Sequence, residues 1–236
     1  MKPVGYLFNH QGGMGGERGL FYNYIFASNG IFIEAENKLM QVRIPVAYCD
    51  IRGLAPIKER ISLLYGSIPQ RFFDLALNTF LADPDKEHYV AVTGDAGYHF
   101  YMPVQDSNGG SVAYEIGECV VLELHSHGYM RACFSSQDDK DEKGLKFSAV
   151  IGKLNATPVV KLRLGVYGYY LPLAWKEVFD GTLVGAIEFE EEEVIGEDEL
   201  HGGDGRQSGP SENRGGGMWW HRWFRGRGSM PASGQQ

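Results

Sequence analysis

Cysteine is scarce. Cys49, Cys119 and Cys133 are the only three in 236 residues, and no two stand at Cys-x-x-Cys spacing. The count is odd and the spacing that would suggest cysteine zinc or dithiol chemistry is missing, so a reducing, cytoplasmic setting is expected. Long apolar runs are missing too. No stretch approaches the roughly eighteen apolar residues of a membrane-spanning helix, and Met1-Lys2-Pro3-Val4-Gly5 lacks the charged-then-apolar pattern of an export signal. Neither secretion nor membrane insertion is expected. A nucleotide loop is also lacking. The segment Gly12-Gly13-Met14-Gly15-Gly16-Glu17-Arg18-Gly19 has no Gly-Lys-Ser/Thr ending, and its glycines do not open a helix at dinucleotide spacing. It reads as a flexible loop.

What remains is the composition of a soluble globular chain, 43% hydrophobic and 22% charged, long enough for one large domain or an ordinary domain with appendages. The formal net charge of −8 is not spread evenly: eight acidic residues fall within Glu188–Glu199 without a Lys or Arg, and they account for all of it. The chain divides into three parts. Residues 1–67 are rich in aromatic and β-branched residues separated by glycine, with alternating runs at Gly30–Ala35 and Met40–Val46 around a polar turn, and they read as a β-rich region.

Residues 68–187 begin with a helical pattern. Phe72, Leu75, Ala76, Thr79 and Phe80 recur at helical spacing, Pro69 suits a first turn, and Pro84 ends the run. Strands are then expected at His88–Thr93, Tyr98–Val104, Cys119–His127, Phe147–Leu154 and Val159–Tyr170, giving an α+β layout. Residues 188–236 are acidic, then rich in Gly, Ser and Pro, and a disordered tail is expected. Within the tail, Met218-Trp219-Trp220-His221-Arg222-Trp223-Phe224-Arg225-Gly226-Arg227-Gly228 combines aromatics with arginines, a mixture that can stack on bases or on a partner's surface. Any nucleic-acid contact is expected only there.

The chemistry concentrates between Leu124 and Asp138. Side chains alternate along a strand, so His125 and His127 face the same side and can share one metal ion, although a polar pair at a strand end needs no metal. Asp138, eleven residues beyond His127, can return as an oxygen ligand and leave a fourth position open. Ser135-Ser136-Gln137-Asp138 equally reads as a capping box that satisfies the first amides of a helix.

Taken together, His125-Ser126-His127, a seven-residue spacer and then Ser135-x-x-Asp138 resemble the signature of the JAB/MPN metalloprotease family. The resemblance implies a mixed β-sheet flanked by helices and one zinc ion held by His125, His127 and Asp138. It also implies that Ser135 donates to the oxyanion and that a Glu on an upstream strand acts as base. Glu87, after the first helix and at the start of the next strand, fits that place. Glu123, two residues before His125 on the same face, is the alternative, with Glu115 and Glu118 nearby. The activity implied is hydrolysis of an amide bond at the C-terminus of a ubiquitin-like protein or its conjugate by metal-activated water. A silent binding scaffold and a hydrolase of small amide or thiol conjugates remain as alternatives. Gly128 stands where the family commonly has Pro. The segments Lys161–Tyr170, Trp175, Val178–Gly181 and Gly19–Ala27 resemble the PRTRC system protein A subgroup, which implies partners from the same gene cassette.

Overall fold

The computed structural model describes residues 2–108, 111–114, 119–141 and 144–189. Glu115, Glu118 and the tail from residue 190, with its Trp/Arg cluster, lie outside the described residues. The elements in chain order are β1 (Val4–His10), β2 (Gly13–Glu17), β3 (Tyr22–Ala27), β4 (Gly30–Glu36), β5 (Met40–Ala47), β6 (Arg60–Leu63), α1 (Gln70–Ala82), β7 (Tyr89–Gly94) and β8 (Tyr98–Tyr101). They continue with β9 (Gln105–Asn108), β10 (Ser111–Tyr114), β11 (Val120–Ser126), α2 (Ser136–Asp141), β12 (Leu145–Gly152), β13 (Val159–Val166), β14 (Tyr169–Pro172) and β15 (Ile187–Glu188).

The N-terminal region forms a six-stranded sheet in the order β2-β1-β3-β4-β5-β6. Its alternating runs pair as an antiparallel hairpin, closed where Asn37 Oδ1 accepts from the amides of Leu39 and Met40 at 2.8 and 2.9 Å. The Gly-rich segment is not a loop: Gly13–Glu17 is an edge strand antiparallel to β1. One of its glycines is there for close approach. At Gly16, φ is +106° and a Cβ would stand 2.2 Å from the Tyr6 carbonyl oxygen, so only glycine fits.

Helix α1 begins one residue after Pro69, and its first amide is capped from a distance, Gln70 N donating to Asp180 Oδ1 at 2.8 Å. Its buried face is Phe72, Phe73, Ala76, Leu77 and Phe80. That face is rotated from the expected one. Leu75 is half exposed, and Thr79 turns its hydroxyl back to the Leu75 carbonyl, while the larger Phe73 enters the core against Trp175 at 4.6 Å.

The second sheet has seven strands in the order β14-β13-β12-β11-β7-β8, with β15 also pairing to β13. Two expected strands are shorter than their patterns suggested. β8 stops at Tyr101, before Pro103, and the Val159–Tyr170 run breaks into a hairpin at Tyr167 and Gly168, both at positive φ. Ile33, Val42 and Ile44 from the first sheet meet Phe73 and Phe80 of α1 and Leu122, Phe147 and Leu164 of the second in one buried cluster. The layout is mixed and sheet-rich with few helices. α1 packs into the core, and α2 spans only six of the described residues, so the sheet is flanked by less helix than expected.

Candidate metal centre

β11 is antiparallel to β7 on one side and parallel to β12 on the other. A parallel pair cannot be joined by a tight turn, so the chain must cross over between β11 and β12. The crossover carries α2 across the sheet face to which His125 points, and this returns Asp138 to the histidines. His127 lies just past β11, but its amide still donates to Ile151 O at 2.8 Å, so the strand's alternation persists and both rings share a side.

His125 Nε2 lies 3.2 Å from His127 Nε2 and 3.6 Å from Asp138 Oδ1. One ligand atom from each of the three residues can be chosen so that all lie within 4.8 Å of one another. Atoms bound about 2.0–2.1 Å from a tetrahedral zinc stand about 3.3–3.4 Å apart, so the donor set fits that ion in both chemistry and spacing. Burial pushes the His125 pKa down to about 4. Asp138 opposes that fall, while His127 and Arg163 add to it. The ring is therefore neutral at ordinary pH, the form in which imidazole binds a metal.

Both readings of Ser135-x-x-Asp138 hold at once. Ser135 Oγ accepts from Asp138 N at 3.2 Å and Asp138 Oδ2 accepts from Ser135 N at 2.5 Å, closing the capping box, while Oδ1 is the oxygen facing His125. Ser135 is exposed, and its hydroxyl, accepting from Asp138, keeps its own hydrogen to donate outward.

Glu87 and Glu123 are separated clearly. Glu87, half-buried just before β7, has its pKa raised, chiefly by burial, further by the Asp138 charge and less the opposing pull of His127. It therefore shares the field of two of the three candidate ligands. Glu123 does face the side of His125, but its carboxylate is buried and committed, to Lys146 Nζ at 2.5 Å and to the Tyr89 hydroxyl at 3.1 Å.

Ser126, between the histidines, points to the opposite face and is fully buried. Its Oγ accepts from His88 N at 2.9 Å and donates to Lys86 O at 3.4 Å, and its amide donates to His88 O at 2.9 Å. It thus clips the chain on both sides of Glu87 to the strand that carries the histidines. The signal was available in the sequence, since a serine forced inward by strand parity must find hydrogen-bond partners. Gly128 has φ +53°, a conformation closed to proline, and a Cβ there would meet the Pro84 carbonyl oxygen at 2.9 Å. The departure from the usual Pro is therefore built into the turn that follows His127.

Residues 62–165 match the family model described as prokaryotic homologs of the JAB domain. The match supports placing that segment in the JAB/MPN family. It spans α1, Glu87, the three candidate ligands and Ser135. No curated protein and no solved structure matches the chain. Among the described residues, no helix is long and apolar enough to cross a membrane.

Proposed function

We propose that the protein is a zinc-dependent peptidase or isopeptidase that hydrolyses an amide bond at the C-terminus of a ubiquitin-like protein. The observation that carries this reading is the gathering of His125, His127 and Asp138 at zinc-ligand spacing, and Glu87, with its pKa raised by burial, feels the charges of two of them. A bound zinc supplies Lewis-acid polarisation of the scissile carbonyl and acidifies the attacking water.

The remaining steps belong to the chain. Glu87 accepts the proton of the attacking water and delivers it to the leaving amine, and its upward-shifted pKa brings it nearer the operating pH, as a base of this kind requires. Ser126 is a positioning residue that holds Glu87 in place. Ser135 donates its hydroxyl hydrogen to the oxygen that gains charge as the carbonyl becomes tetrahedral. Glu123, occupied by Lys146 and Tyr89, is not the base. No covalent intermediate is needed, so none of the three free cysteines acts as a nucleophile, although Cys133 Sγ lies 4.0 Å from His127 Nδ1, and all three suit the reducing cytoplasm. We also assign the chain to the PRTRC system protein A subgroup on its Gly19–Ala27 and Lys161–Tyr170 segments, so that the substrate and partners would come from the same cassette.

The test is Glu87→Gln assayed on a ubiquitin-like protein fused to a C-terminal peptide. The variant should retain zinc and lose cleavage by two orders of magnitude or more, about the size of a general-base contribution. Zinc-loaded wild type that cuts neither fusions nor small amide conjugates, yet captures the ubiquitin-like protein, would replace the peptidase with a binding scaffold.

A further inference from the structure

Arg163 lies on β13 on the same sheet face as Glu123, across Ser148 in register. The residue is only 7% exposed. Its guanidinium lies 3.7 Å from the centroid of the Phe134 ring and 4.0 Å from that of Tyr170, and Nη1 is 2.8 Å from Asp139 Oδ1. The Tyr170 hydroxyl donates to Asp139 O at 2.8 Å. Phe134 immediately precedes Ser135, and Asp139 immediately follows Asp138. One buried cation therefore grips, at both ends, the four-residue segment that holds the carboxylate ligand and the oxyanion donor.

We infer that Arg163, stacked between Phe134 and Tyr170 and paired with Asp139, is a positioning residue that fixes Asp138 for metal binding. This rests on the zinc reading above. Helix α2 is too short to hold its own orientation, because helices of fewer than about twelve residues are marginal without tertiary support. The planar guanidinium supplies that support: it can stack on two rings and still present N–H groups to a carboxylate in its own plane. Lysine cannot do both.

The experiment measures zinc affinity by chelator competition and the visible d–d spectrum of cobalt-substituted protein, for wild type, Arg163→Met, Arg163→Lys and Asp139→Asn. Arg163→Met should weaken zinc binding roughly 10- to 100-fold, the usual cost of losing a group that orients a metal ligand, and should shift the cobalt bands. Arg163→Lys should recover part of the loss, and Asp139→Asn should move both readouts in the same direction. Folded Arg163→Met with wild-type affinity and spectrum overturns the inference. If Arg163→Met does not fold, Asp139→Asn, altered at a half-exposed carboxylate, decides by the same criterion. Wild type that takes up no zinc sinks the zinc reading itself, whereas normal wild-type binding with unaffected variants sinks only the role of Arg163.

Discussion

The two faces of the seven-stranded sheet are built from the same strands and do different work. One face, with Leu122, Leu124, Phe147, Ala149, Leu162 and Leu164, is buried and apolar and fuses with α1 and the first sheet into one core. The other carries Glu123, His125, Lys146, Ser148 and Arg163, residues that alternate in sequence with the first set. The comparison teaches that stability rests mainly on one side of the sheet, while the candidate chemistry is mounted on the other, where the charged groups Glu123, Lys146 and Arg163 are held by ion pairing and the buried Ser148 hydroxyl has no hydrogen-bond partner among the described residues.

Removing a large core side chain should break this comparison most visibly. Phe147→Ala is expected to cost about 3–5 kcal/mol in urea denaturation, while the folded fraction keeps its zinc stoichiometry. Equal loss of metal would mean that the faces are not separable. Lys146→Met comes next. It leaves the Glu123 carboxylate buried without its cation, at a cost of about 3 kcal/mol, and should leave the acid limb of activity unchanged if Glu87 is the base. An acid limb that moves in this variant would return the role to Glu123.

A third effect is that of pH on metal-free protein. His125 has its folded pKa pushed down to about 4, against the ordinary imidazole value of 6.5, so between those values the unfolded chain binds the proton more readily. Its contribution to stability is fully present above pH 6.5 and is lost as pH falls towards 4. Urea midpoints of chelator-treated wild type should drop across that window, and the drop should be blunted in His125→Asn. An identical drop in the variant would assign it to other groups.

Strand alternation was enough to put His125 and His127 on one side, and the spacing to Asp138 was enough to suggest its return. The order of elements favoured Glu87 over Glu123, but both satisfy local rules, and the pairing of Glu123 with Lys146 was not legible because Lys146 lies on another strand. Arg163 escaped notice for the same reason, since its partners Phe134, Asp139 and Tyr170 come from three separate stretches of chain. The face of α1 was misread because Leu75 and Thr79 sit beside Phe73 and Leu77, and spacing alone does not say which pair the core will take. The Gly-rich hairpin was missed because glycine, a loop signal in isolation, also permits two backbones to approach closely.

The most direct test of the central claim is calorimetric titration of zinc into metal-free wild type and into His125→Ala. The account predicts one ion per chain in the wild type and no specific binding in the variant. Substoichiometric zinc in fully folded wild type, or undiminished binding in His125→Ala, would contradict it.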